Sequence, residues 1–412
     1  MKSEGFLKGV LVGVCLMFGS VMIAMLIFFL FFKKPRYENF ENGALSGSGS
    51  STETFEAFAD KEKYILNTIN QYFYKDKDVS EIYDDVYRKL VDSLDDPYSY
   101  YFSEEELKST MTRYDGEYVG IGCIIGQLDD SLELICTAVY EDSPAKKSGL
   151  QPGDIFISVN GTDITGMDRQ TALAMLKGEE GETLKVIVKR DGENIELNIT
   201  LDTIELKTIT SQMVDETEKI GYIYCISFNA HTTDQFKAAI DDLEKQGMEK
   251  LIIDLRENHG GVYDAAVTML DRMIEKDKLL VYTEDRNGNK ESSYSEDDLK
   301  FDKPVVILIN GNTASASELF TQTMRDYEKA TVVGTRSFGK GIYQGLYRLG
   351  DGSGLRLTNG RYFSPKGICI HGEGIKPDIE LELDEGLEKI AVWKRTEDNQ
   401  LQAAIDYLKK NT

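Results

Sequence analysis

The sequence predicts an α/β fold around a mainly parallel sheet, and three observations carry the prediction. Residues 204–384 alternate short apolar strands with amphipathic helices, the pattern that crossover connections produce. Within them, the run 305–309 has the length and β-branching of a strand buried on both faces. Asn310-Gly311-Asn312 then turns the chain into a helix over 314–327, with Leu319, Phe320, Met324 and Tyr327 at helical spacing.

Taken in order, the 412 residues have room for two or three domains with their own cores. Residues 1–8 are a short tail. Residues 9–32 carry no charge. As a helix they reach about 36 Å, enough for a hydrocarbon core of roughly 30 Å, and they read as an uncleaved transmembrane anchor. Lys2 and Lys8 precede this span while Lys33, Lys34 and Arg36 follow it, so charge alone leaves the orientation open. Residues 33–54 form a flexible linker, glycine- and serine-rich at 43–52.

Residues 55–113 read as a helical region. Ile65, Ile69 and Tyr72 make one apolar face, and Ile82, Val86, Leu90 and Leu94 another. Asp95-Asp96-Pro97 ends the second helix, and Ser103 with Glu106 predicts a capping box on a third. The plain reading of this region is a scaffold or a dimerisation arm. The net charge of −24 argues against nucleic acid as a partner, since phosphates require basic patches.

Residues 114–203 change character. Tyr118-Val119-Gly120-Ile121-Gly122 leads into a strand, 132–139 reads as its hairpin partner, and SPAKKSGLQPGDIFISVNG follows at 143–161. A helix around 168–176 and strands at 183–190 and 194–201 complete the unit. This segment resembles a PDZ domain over its whole length. The resemblance implies that backbone N–H groups of the Val119, Gly120, Ile121 and Gly122 loop receive a peptide's C-terminal carboxylate, with the adjacent strand edge pairing with the peptide.

Strand, tight turn and helix place Ser315 and Ala316 at a helix N-terminus, where unpaired N–H groups suit an oxyanion. A strand at 330–334 runs into a glycine-flanked lysine, Lys340, with Gln344 four residues on. A serine hydroxyl needs a base, and lysine serves when desolvation leaves it a neutral amine. On spacing alone a capping serine and a solvated loop lysine stay open as the alternative. Sites in such sheets lie beyond the strands' C-terminal ends. There the Gly260-Gly261 turn would bring a glycine N–H near that of Ala316, the two donors of an acyl-transfer oxyanion hole.

DLRENHGG (254–261), NGNTASASE (310–318), FGKGIYQ (338–344) and GEGIKPD (372–378) occur in this order after a helical segment and a PDZ-like unit. The chain resembles the carboxyl-terminal processing proteases, tail-specific serine peptidases of family S41, over residues 58–412. The resemblance implies a ClpP/crotonase-like core over 204–384 with the PDZ domain inserted, and a C-terminal helical tail over 385–412. It implies Ser315 as nucleophile, Lys340 as general base and Gln344 as a positioner of that lysine. Ala316 with Gly260 or Gly261 would form the oxyanion hole. Lys177 stands where the family commonly has an arginine linked to PDZ–protease communication, and a lysine loses the bidentate hydrogen bonding.

Ser317 is a rival nucleophile, read as a packing residue. The rival triad mechanism would need one of His231, His259 and His371, the only histidines. His259, beside the glycines, stands where the family usually has proline and reads as a surface loop residue. Of the five cysteines, Cys15 falls in the apolar span. Cys123 and Cys136 lie on neighbouring PDZ strands with their pairing left open, and Cys225 and Cys369 read as core hydrophobes. No metal-ligand spacing is visible, and no metal or organic cofactor is implied.

The whole predicts a membrane-anchored serine endopeptidase that recognises apolar C-terminal tails. From the family it is expected to be a homodimer through its terminal helices, with the catalytic part outside the cytosol. The alternative from another class is a non-catalytic, membrane-tethered PDZ adaptor.

Overall fold

The computed structural model describes residues 51–75, 79–128, 133–298, 301–387, 392 and 397–411. The predicted transmembrane span at 9–32 and most of the linker fall outside the described residues, among which no helix is long and apolar enough to cross a membrane. The chain divides into two compact units, Met1–Tyr83 and Asp84–Thr412. In the first, helix α1 (Ser51–Tyr72) exposes Phe58, Tyr64, Ile65 and Tyr72. Helix α2 (Val79–Asp92) runs on into the second unit.

The second unit opens with strand β1 (Tyr100–Phe102) and helix α3 (Glu104–Asp115). The predicted capping box is formed: Glu106 N–H donates to Ser103 Oγ at 3.4 Å, and Ser103 N–H to Glu106 Oε2 at 2.9 Å.

The PDZ portion follows as β2 (Glu117–Gly120), β3 (Cys123–Gln127), β4 (Leu134–Val139), α4 (Pro144–Lys147), β5 (Ile155–Val159), β6 (Thr162–Asp163), α5 (Arg169–Ala174), β7 (Thr183–Arg190), β8 (Glu193–Thr200) and β9 (Asp202–Glu205). Its sheet runs β3-β4-β5-β7-β8, with β6 on β5, so β3 is a free edge. Phe156, Val186, Val188 and Ile199 fill a core of its own. Strands β2 and β9 pair antiparallel, so the chain enters and leaves this portion side by side. Cys123 and Cys136 are free thiols, not a disulfide.

The remaining elements are β10 (Ile209–Asp215), β11 (Ile220–Cys225), α6 (Thr232–Lys245), β12 (Lys250–Asp254), α7 (Tyr263–Met273), β13 (Leu279–Asp285), β14 (Lys290–Tyr294), β15 (Val305–Ile309), α8 (Ala316–Asp326), β16 (Ala330–Gly334), β17 (Ile342–Arg348), β18 (Gly354–Phe363), β19 (Ile379–Glu380) and α9 (Asn399–Asn411). The main sheet is ordered β10-β11-β12-β15-β16-β19, parallel from β11 to β19. Its two faces explain the unbroken apolar run of β15. Val305, Ile307 and Ile309 pack with residues of α6, α7 and α8, while Val306 and Leu308 pack with α9. A second, antiparallel sheet (β1-β18-β13-β14, with β17 on β18) joins the first strand of the unit to β18.

In sequence, residues 385–412 read as a helical tail contributing to a homodimer, and helix α9 within them turns its apolar face inward. Ala404, Ile405 and Leu408 are buried against the unit's own sheet. Asp398 accepts from Gln400 and Leu401 N–H at the start of α9 and receives the fully buried Arg256 guanidinium at 2.8 Å. Arg256 also pairs with Asp254, whose carboxylate takes the Tyr222 hydroxyl at 2.8 Å. The arginine of DLRENHGG thus fastens α9 to the sheet beside the glycine turn.

Candidate active site

Beyond the C-terminal end of β15 the chain must reverse into α8 within six residues, and the strain falls on Ser315, at φ 57 and ψ −117. A non-glycine residue holds such a conformation at a cost of about 1–3 kcal/mol, and only when its surroundings over-determine it. They do so here through Glu318, a fully buried carboxylate one turn into α8. It accepts from Ser315 N–H (2.9 Å), Lys340 N–H (2.8 Å), Gly339 N–H (2.7 Å) and Ser337 Oγ (2.5 Å). From the other side Tyr362, on β18, presents its hydroxyl 2.9 Å from the Ser315 carbonyl oxygen and 2.5 Å from that of Lys340. Burial, then the nearby Glu318, push the Tyr362 phenol well above its ordinary value, so it remains a donor.

The glycine turn lies against the same serine. A Cβ on Gly260, at φ 92, would stand 2.8 Å from Ala314 O, 2.9 Å from Ser315 Cβ and 3.0 Å from Ala316 N. Only glycine fits this approach. The turn is shaped by buried Asn258. Its Oδ1 takes the Gly260 N–H (2.9 Å), its carbonyl takes Ala314 N–H (3.0 Å), and its Nδ2 donates to Cys225 O (2.8 Å). Gly260 N–H is therefore committed, whereas Gly261 and Ala316 N–H find no acceptor among the described residues. Of the two glycines left open as oxyanion donors, Gly261 is the one whose N–H is unpaired among the described residues.

Lys340 and Ser315 are both half-buried. Burial first, then the Arg356 guanidinium, push the Lys340 amine below the usual lysine value, while Asp96 and Glu318 pull it up. Its Nζ lies 4.9 Å from the centre of the Tyr98 ring, with no Ser315–Lys340 side-chain hydrogen bond among the described residues. Gln344, on β17 near the lysine loop, places Nε2 3.5 Å from Thr358 Oγ1.

Ser317 is fully buried and donates to Asn258 O at 3.0 Å, the packing role expected of it. His259 is exposed, and no histidine is hydrogen-bonded to Ser315 among the described residues. Sequence reasoning passed over Glu318, Asn258 and Tyr362 as site residues, although Glu318 and Asn258 stand in motifs it used. It also read 95–97 only as a helix stop, missing Tyr98.

In the PDZ portion, Val119, Gly120 and Ile121 line a cavity of about 470 Å³ between β3 and α5, with Lys177 exposed at its rim. Ile121 and Gly122 N–H have no acceptor among the described residues. Gly122, at φ 78, packs so closely that a Cβ would lie 2.4 Å from Ser143 Cβ.

A strained serine on a strand-to-helix turn, free N–H donors beside it and a PDZ groove define the class: a serine peptidase carrying a peptide-binding module. Comparisons agree. Residues 219–381 match the model of peptidase family S41, and residues 135–190 that of the PDZ domain. The chain is 35% identical over 345 residues to the carboxy-terminal processing protease CtpA of Bacillus subtilis (strain 168), covering 84% of this chain and 73% of that protein. It is 34% identical over 323 residues to a probable CtpA-like serine protease of Staphylococcus epidermidis, covering 78% of this chain and 65% of that one, just under two thirds of its length. A solved structure, the photosystem II D1 C-terminal processing protease, is 26% identical over 80% of this chain and 88% of that chain, with a TM-score of 0.46. The chain belongs to the carboxy-terminal processing proteases of peptidase family S41.

Proposed function

We propose that the chain is a membrane-anchored endopeptidase that captures the C-terminal tails of proteins in its PDZ groove and cleaves them with a Ser315–Lys340 dyad. The observation that carries the reading is the Glu318 clamp. One buried carboxylate holds the backbone N–H groups of both residues, so the turn that strains the serine and the loop that carries the lysine are built as one piece. Ser315 Oγ attacks the scissile carbonyl while the neutral Lys340 amine takes its proton. The oxyanion is received by Ala316 and Gly261 N–H, and water clears the acyl-enzyme. Gln344 acts on the lysine loop, and Lys177 couples groove to core. Ile121 and Gly122 N–H receive the tail's carboxylate, and the β3 edge pairs with its backbone.

Residues 9–32 anchor the chain, with the catalytic part extracytoplasmic. The exposed apolar side chains of α1 support a homodimer through the N-terminal helices. The tailward face of α9 does not, being buried in its own core.

The test is proteolysis of an unfolded reporter with an apolar C-terminal tail by the full chain in detergent. Cleavage by the parent but not by Ser315→Ala or Lys340→Ala is expected. Equal cleavage by all three would remove the dyad. Retained tail binding with no cleavage by any would leave an adaptor.

A further inference from the structure

The residues around the Lys340 amine come partly from a segment far away in sequence. Residues 96–99 form a turn between α2 and β1, fastened to β18. Asp96 accepts from Tyr98 N–H (3.1 Å) and Ser99 Oγ (2.6 Å), Ser99 Oγ accepts from Thr358 N–H (3.1 Å), and Tyr98 O accepts from Arg356 Nε (3.0 Å). This holds the half-buried Tyr98 ring 4.9 Å from Lys340 Nζ. Phe102, four residues on, carries the Arg356 guanidinium 5.3 Å from its own ring centre. Lys340 and Arg356 are thus each set against an aromatic ring of the same short segment. The charged groups facing the amine are Arg356 from β18, Asp96 from the turn and Glu318 from α8. The Tyr98 phenol, raised by burial and by Asp96 and Glu318, stays neutral.

We propose that Tyr98 is the resting seat of Lys340: its ring holds the ammonium form away from Ser315, and loss of the proton to solvent releases the neutral amine towards the serine hydroxyl. An aromatic face attracts a cation through its quadrupole and offers little to a neutral amine. Protonation and position are therefore coupled, and the lysine leaves the ring in the one form that can act as a base. Tyr98 acts through Lys340 and is a positioning residue. The inference rests on the dyad reading.

The experiment is the pH dependence of kcat/KM for the full chain in detergent on the tailed reporter, for the parent, Tyr98→Phe and Tyr98→Leu. Activity rises as Lys340 loses its proton. Leucine keeps the apolar bulk but removes the quadrupole, so the ammonium is less favoured and the acid limb moves down by about half a pH unit or more. Phenylalanine keeps the limb where the parent has it. A purely structural role for Tyr98 would lower the plateau and leave the limb in place. The pH dependence of Lys340 acylation by an amine-reactive reagent, read by mass spectrometry in a Ser315→Ala background, reports the same shift if Tyr98→Leu has lost turnover.

Coincident limbs for parent and Tyr98→Leu, with Lys340→Ala inactive, would overturn this inference alone. So would an equal shift in Tyr98→Phe. Full activity of Lys340→Ala would overturn the dyad and this inference with it.

Discussion

The serine turn and the tail groove solve opposite problems with the same backbone chemistry. Around Ser315 almost every polar group is matched: Glu318 takes four donors, Asn258 ties the glycine turn, and the Tyr362 hydroxyl reaches two carbonyls. Among the described residues the N–H groups of Ala316 and Gly261 find no acceptor, and these are the two donors that the proposed mechanism offers to a reacting oxygen. In the groove, the edge of β3 and the N–H groups of Ile121 and Gly122 are left unmatched among the described residues, and these are the groups proposed to receive a tail. A catalytic site gains from dipoles already fixed before the charge develops. A tail site gains from backbone groups that only a peptide can satisfy. Damage to the first should appear in turnover, and damage to the second in the concentration of tailed substrate required.

The sharpest way to break the catalytic side is Glu318→Ala. It leaves three backbone N–H groups and one hydroxyl facing a void, and it frees the strained serine turn from the lysine loop. Each unsatisfied buried donor costs about 1–3 kcal/mol, so both stability and turnover should fall, kcat by a factor on the order of a thousand. Thermal unfolding and single-turnover cleavage of the tailed reporter measure the two. Unchanged kcat would mean that Glu318 is not what holds the pair.

How much of this was legible in sequence divides along the same line. The sheet could be read because β15 is buried on both faces and has no room for polar residues, so its bounds emerged as 305–309. The helix after it was read as starting at 314 and begins at Ala316, because the turn consumes two residues in the strained step at Ser315. The turn into β3 was legible from Gly122, where a left-handed φ and a close approach to Ser143 demand glycine, whereas Val119 and Gly120, read as part of the same loop, close strand β2 against β9. What stayed hidden were contacts between segments remote in the chain. Nothing in the spacing of Tyr98 and Lys340 foretells that β1 pairs with β18. Nothing in the helical pattern of 399–411 says that its apolar face would meet its own sheet. Glu318 was in view only as the last residue of NGNTASASE; three of its four donors arrive from the lysine loop, 19 to 22 residues on.

A smaller effect on the same side is expected for Gly260→Ala. The added methyl meets Ala314 O, Ser315 Cβ and Ala316 N within 3.0 Å, so the glycine turn must draw back from the serine and carry Gly261 N–H with it. Losing one oxyanion donor lowers kcat about a hundredfold, with KM for the tailed reporter little changed because the groove is untouched. A rise in KM at constant kcat would place the turn in substrate binding instead.

The smallest effect, and the one that separates the two regions, is Gly122→Ala. Here φ is 78 and the new methyl would stand 2.4 Å from Ser143 Cβ. Ser143 cannot retreat freely, since it is buried and its Oγ accepts from Lys146 N–H at the start of α4. The loop must therefore move, taking the Ile121 and Gly122 N–H groups off the line of an incoming carboxylate. Strain of about 1–2 kcal/mol at a left-handed position corresponds to roughly a tenfold loss of tail affinity. Titration of a fluorescent apolar-tailed peptide into Ser315→Ala and Ser315→Ala/Gly122→Ala chains measures it without cleavage. In the otherwise unaltered enzyme, KM for the tailed reporter should rise by the same factor while kcat at saturation holds. If kcat falls as far as KM rises, filling the groove also changes the state of the serine turn, and the two regions are one coupled machine.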